Sequence, residues 1–177
     1  MPVSVLLTYA SSRGSTEEVA QVIQQVLNDA GLDCQMQAVG DVRSLDGYDA
    51  VVLGAPIYMF RWHKDAKRFL KKQRDALQQR PVAVFALGPV HDPHDEEEWQ
   101  NSWSQLRNEL AKFPWFEPMA LEMFGGRYDP EQLGFPLKIF AGSEPASDIR
   151  DWDAIRAWAG ETAEMLKTKA GSLESQA

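Results

Sequence analysis

The chain has 177 residues, 44% hydrophobic and 25% charged, with a formal net charge of −8. That length suits one globular domain with one sizeable core, and no apolar run approaches the roughly 20 residues of a membrane span. An acidic surface argues against nucleic acid as a partner, and a single cysteine, Cys34, leaves no internal disulfide, thiol pair or cysteine-rich metal site.

The N-terminus carries no basic stretch and no cleavage site, so the cytoplasm is the expected compartment. Residues 3–9 form a short apolar, β-rich run, as in a strand buried on both faces. Ser15 or a neighbour then caps a helix to about residue 30, with Val19, Ile23, Val26 and Leu27 at helical spacing and Gly31 as its stop. Residues 34–39 read as a second strand, with Cys34 as a small core residue in its alternating pattern. Residues 50–54 read as a third strand, 64–79 as a helix and 82–87 as a fourth strand. A helix over 95–112, a fifth strand over 119–124 and a last helix over 151–167 complete the series. The domain is expected to span residues 1–167, with 168–177 a polar, disordered tail. Alternating strands and helices imply an α/β three-layer sandwich, and five such units fit a parallel sheet in the order 2-1-3-4-5. Ligands of such sheets bind beyond the carboxyl ends of the strands, where the winding reverses.

Four segments fall there, residues 9–16, 55–63, 87–95 and 125–130, and the first three carry the motifs. The first, Ser11, Ser12, Arg13, Gly14, Ser15 and Thr16, is rich in hydroxyls and opens a helix. Free N–H groups at a helix N-terminus favour an anion such as a terminal phosphate. Equally, Ser15 or Thr16 merely caps the helix, with Glu18 completing a capping box. A P-loop is excluded because no Lys is present, a dinucleotide fingerprint because only one glycine is available, and a receiver domain because Gly54-Ala55-Pro56 offers no carboxylate.

The second segment, Pro56, Ile57, Tyr58, Met59, Phe60, Arg61, Trp62 and His63, concentrates aromatic side chains in a loop. Such faces suit a flat ring system, with Trp62 or Tyr58 as the stacking residue; the alternative is a hydrophobic plug for the following helix. The third segment begins Leu87, Gly88, Pro89, Val90, and its His91 and His94 lack a third convergent ligand, so no metal is expected.

Thr8 to Thr16, the turn Gly54-Ala55-Pro56-Ile57-Tyr58 and Leu87-Gly88 together resemble the flavodoxin family over nearly the whole chain. Within it, the chain is similar to the branch containing the menaquinone-dependent protoporphyrinogen dehydrogenase of haem biosynthesis. The points of likeness are Ser15-Thr16 opening the first helix, Trp62-His63 after the Gly-Ala-x-Ile turn, and Gly125-Gly126-Arg127-Tyr128 after strand five. The resemblance implies FMN, with its phosphate on Ser11, Arg13, Gly14, Ser15 and Thr16 and its ring between the 56–62 and 87–92 loops. Arg13 stands where the family commonly has Thr, and no glycine lies between Ala55 and His63. No residue is required as acid, base or nucleophile, so any chemistry is the flavin's.

The function expected is that of an FMN-dependent redox protein, a dehydrogenase like the protoporphyrinogen enzyme. The alternatives are an electron carrier that docks on partner proteins and an interaction domain of the same fold without flavin. Residues 61–74 carry seven Lys or Arg and one acid, leaving −14 on the other 163 residues. Lys64, Lys67, Arg68, Lys71 and Lys72 share a helix face. That face is either merely solvated or steers an anionic partner: a porphyrinogen, an acidic redox protein, or lipid at a quinone-containing membrane, where contact is at most peripheral.

Overall fold

The computed structural model describes residues 1–91, 94–135, 137–140 and 144–174. The expectations for Asp92 and Pro93 in the third loop, and for tail residues 175–177, lie outside the described residues. Strand β1 (Ser4–Tyr9) leads into helix α1 (Ser15–Asp29), then β2 (Asp33–Ala38) and β3 (Ala50–Tyr58). A two-residue strand β4 (Arg61–Trp62) follows, then α2 (Lys64–Lys72), α3 (Arg74–Leu77) and β5 (Val82–Leu87). Next come α4 (Glu96–Leu110), β6 (Ala120–Phe124), β7 (Arg127–Tyr128), α5 (Leu137–Phe140), β8 (Ser147–Asp148) and α6 (Trp152–Glu174).

Five strands pair in parallel in the order β2-β1-β3-β5-β6, which is the expected 2-1-3-4-5 once β4 is set aside. Successive strand side chains point to opposite faces, and both faces are apolar. Leu7, Val52 and Phe85 pack with α1 and α6, through Ile23, Leu27, Trp158 and Leu166. Leu6, Val51 and Val84 pack with α2, α3 and α4, through Phe69, Leu70, Leu77 and Leu106. These two layers hold the carboxyl ends of β1, β3 and β5 side by side.

Three boundaries differ from expectation. The expected loop at 56–62 is an antiparallel hairpin, with Ile57 opposite Trp62 and Tyr58 opposite Arg61. The expected helix over 64–79 breaks at Gln73, whose N–H still donates to the Phe69 carbonyl at 2.9 Å. The last helix does not stop at 167. Ala170 is buried, and the Thr168 and Ser172 hydroxyls bond back to the Glu164 and Thr168 carbonyls, so residues 168–174 continue the helix rather than forming a tail.

Candidate functional site

The turn between β1 and α1 is shaped by Gly14, whose φ of 84° is a left-handed conformation that favours glycine. Its N–H donates to the Ser11 hydroxyl at 2.9 Å, closing the loop on itself. Gly14 holds the cap position of α1, and no side chain caps the helix. The first N–H groups of a helix have no intrahelical acceptor, so this terminus presents donors. The capping box does not form. The Glu18 carboxylate instead accepts from Arg150 at 2.6 Å and from Arg127 at 3.2 Å.

The Thr16 side chain is fully buried, and its hydroxyl has no hydrogen-bond partner among the described residues. An orphaned buried hydroxyl beside an uncapped helix terminus is costly unless something else accepts from it or donates to it. Ser15 and Arg13 are half-buried and Ser12 is exposed.

The second segment meets the first through two side-chain contacts. The Ser12 hydroxyl lies 2.9 Å from His63 Nε2, and the Arg13 guanidinium lies over the Tyr58 ring, 4.8 Å from its centroid. His63 also caps α2, its Nδ1 accepting from the Asp65 N–H at 3.2 Å. With Nδ1 an acceptor, the neutral imidazole carries its proton on Nε2 and donates to Ser12. Burial lowers the His63 pKa, which favours that neutral form.

Tyr58 and Trp62, the two stacking candidates, part company. Trp62 is 1% exposed and packs in the core with Leu6 and Ala10, so it anchors the hairpin and presents no free face. For Trp62 this burial is what the alternative, a hydrophobic plug for the following helix, requires, with Ala66 and Phe69 in the same cluster. Tyr58 is 43% exposed on the opposite side of the pleat and keeps its ring available. Pro56 and Ile57, the two residues before it, are half-buried.

The third segment is held from both sides. Leu87 and Pro89 are buried, and Gly88 and Val90 half-buried. Glu98 accepts from the Val90 N–H at 3.0 Å and the His91 N–H at 3.2 Å, while the Gly126 N–H donates to the Pro89 carbonyl at 2.6 Å and the Ser147 hydroxyl donates to the Val90 carbonyl. With these groups occupied, the loop offers a rigid wall. A cavity lined by His91, His94, Trp99, Met123, Phe124 and Ile149 opens on its far side, and no residue of the first two segments lines it.

Sequence reasoning missed Arg150. It is buried, and besides Glu18 it donates to Asp148 at 2.6 and 2.8 Å and to the Ser15 carbonyl at 3.3 Å. The Arg150 hydrogen bonds hold the Asp148 carboxyl below its usual range. The network fastens the β7–β8 hairpin to the start of α1 and offsets an acid in its first turn. Gly125 lets that hairpin approach, since a Cβ there would meet the Ile149 carbonyl oxygen at 2.3 Å.

This donor set fits the phosphate of FMN: an uncapped helix terminus, an orphaned buried hydroxyl and a nearby guanidinium. An exposed tyrosine ring and the apolar 87–90 wall are the kinds of surface that suit a flat ring.

The flavodoxin domain family matches residues 6–140. Protoporphyrinogen IX dehydrogenase [quinone] of Escherichia coli (strain K12) is 23% identical over 176 residues, spanning 90% of this chain and 94% of that protein. The flavodoxin of Streptococcus pneumonia TIGR4 superposes with a TM-score of 0.59 at 17% identity, covering 93% of this chain and 98% of that one. A flavodoxin from the domain Archaea superposes with a TM-score of 0.56 at 13% identity, covering 93% and 99%. These likenesses are of fold. This chain belongs to the flavodoxin domain family, and that membership indicates FMN as its cofactor and redox transfer as its function.

Proposed function

We propose that the chain is an FMN-dependent dehydrogenase that passes electrons from a reduced small molecule to a quinone. The observation that carries the reading is the partnerless Thr16 hydroxyl at an uncapped helix terminus, joined by Arg13 to an exposed tyrosine on the neighbouring loop. In this reading Ser11, Ser12, Arg13, Gly14, Ser15 and Thr16 surround the phosphate, with Arg13 the cation beside it. Tyr58, Pro56, Ile57 and the wall of Leu87, Gly88, Pro89 and Val90 would hold the ring. Trp62 serves by fixing the hairpin that carries Tyr58. FMN supplies the hydride and electron chemistry when bound, and the protein supplies position, exclusion of water and local field.

The similarity to a protein named for protoporphyrinogen IX and quinone supports that substrate pair. A porphyrinogen's carboxylates would suit the exposed cations that begin at Arg61 and Lys64. A second reading, an electron carrier docking on partner proteins, is favoured by the exposed Met59 and Phe60 beside Tyr58. Quinone reduction by FMN-loaded protein, with and without a porphyrinogen, separates the two. Turnover that requires the porphyrinogen supports the dehydrogenase. No turnover, with ready reduction of a one-electron carrier protein, supports the carrier.

A further inference from the structure

Met59 and Phe60 form the tip of the β3–β4 hairpin and are 66% and 76% exposed. Both have left-handed backbone, φ 45° and 65°. Two-residue turns of this kind are normally Asn-Gly or Asp-Gly, so two bulky apolar residues here are held out against local preference. What holds them is the buried Trp62 and the His63 N–H, which donates to the Pro56 carbonyl at 3.1 Å. An exposed basic group follows at once: Arg61, Lys64 and Arg68, with Lys71 and Lys72 further along the same helix. Lys67 is set apart because it donates to the buried Glu109 at 2.8 Å, whereas Arg68, 3.7 Å from Asp65, keeps an exposed side chain.

We infer that this corner docks on an anionic membrane interface. Met59 and Phe60 enter the boundary between headgroups and acyl chains, and Arg61, Lys64 and Arg68 meet the lipid phosphates. The charge distribution selects that occupant. Residues 61–74 sum to +6 against −14 elsewhere, so a negative surface attracts this corner and repels the remainder. Phe135 and Ile139 are also exposed, with Lys138 beside Ile139, but Asp129, Glu131 and Glu144 leave the 129–144 segment at −2, and it is not part of the contact. Paired apolar and basic groups at one tip are the mark of interfacial binding. At 1.5 Å per residue, Lys71 lies roughly 10 Å farther along the helix than Lys64, about one screening length at 0.1 M salt. The three cations nearest the tip therefore dominate. Docking would bring Tyr58 close to a lipid-soluble quinone. That last consequence rests on the proposed function, whereas lipid binding itself needs no flavin.

The test is co-sedimentation of the full chain with vesicles of phosphatidylcholine alone, or with about a third phosphatidylglycerol. Wild type should bind the anionic vesicles at least about tenfold more tightly than the neutral ones and release them near 1 M salt. Met59→Ser with Phe60→Ser should weaken anionic binding about tenfold. Arg61→Glu, Lys64→Glu and Arg68→Glu together should weaken it by about a hundredfold or more. Phe135→Ser should change nothing. No binding to anionic vesicles at low salt overturns the inference, as does wild-type binding by the Met59/Phe60 variant. A further arm offers an acidic ferredoxin without lipid. Tight binding there with none to vesicles assigns the corner to a protein partner and overturns the lipid contact. All arms are run with and without FMN, so failure to bind flavin is read separately from failure to bind lipid.

Discussion

Arg13 and Tyr58 are joined across the two loops at the end of the sheet, with Nη2 of the guanidinium 3.3 Å from the phenol oxygen and the guanidinium carbon 4.8 Å from the ring centroid. A cation on a tyrosine face contributes about 0.5–1 kcal/mol at an exposed site. The pair therefore pre-orders the ring-side loop without blocking it. Tyr58→Ala should weaken FMN and riboflavin alike, by about tenfold, because ring stacking and area burial are shared by both ligands. Arg13→Ala should weaken FMN more than riboflavin, because only FMN carries the phosphate. Quenching of flavin fluorescence on titration measures both.

Trp62 should behave as a core residue. Trp62→Ala should destabilise the protein by about 3–5 kcal/mol, the range for emptying a large aromatic site. For a domain of this size that lowers the melting temperature by roughly 10 °C or more in a thermal scan. A mild loss of stability with complete loss of flavin quenching would show that the indole reaches the ring after all.

Arg150 separates stability from ligand binding. Arg150→Ala should cost about 1–3 kcal/mol, toward the lower end because Asp148 and Glu18 are partly exposed and can rehydrate. It should also weaken FMN several-fold, since Glu18, in the first turn of α1, then loses one of its two arginine partners and keeps Arg127. Adding Glu18→Gln should restore the affinity and leave the stability loss in place. Denaturant melts and FMN titrations on the two variants distinguish these effects.

His63 gives a pH signature. Burial lowers its pKa in the fold, so its contribution to stability is fully present above the unfolded value of about 6.5 and is lost as pH falls through the folded value. His91 runs the other way. Its hydrogen bond to Glu98 raises its pKa, so its contribution is full below about 6.5 and fades as pH rises. Comparison of wild type with His63→Asn isolates the first. The asparagine can still cap α2 but does not titrate, so the variant should lose less stability than wild type between about pH 7 and 5. Identical pH profiles would remove His63 from the link between the loops.

The alternation of strands and helices is legible in the sequence because the central strands are apolar on both faces and Gly31 marks a helix end at φ 88°. The hydroxyl-rich loop is legible for the same kind of reason, as a local run of small residues. The hairpin is not. Its turn is Met59-Phe60, without the Asn or Gly that announces a two-residue turn, so residues 56–62 read as a loop and Trp62 and Tyr58 as equal stacking candidates. Glu18 is misplaced by sequence because a capping box is read from spacing alone, whereas its partners, Arg127 and Arg150, lie more than a hundred residues away. The extension of α6 to Glu174 is hidden by polar residues that bond back to their own helix.

Titration of wild type and Thr16→Val with FMN and with riboflavin tests directly whether the α1 terminus holds the FMN phosphate. Wild type should prefer FMN by about a hundredfold or more, since hydrogen bonds to a charged group contribute about 1.5–3 kcal/mol each. Thr16→Val should lose about tenfold in FMN affinity and almost none for riboflavin. Without ligand it should be no less stable than wild type, because the hydroxyl it removes is buried and partnerless. Equal affinity of wild type for FMN and riboflavin, or equal losses for both ligands in the variant, would contradict the assignment.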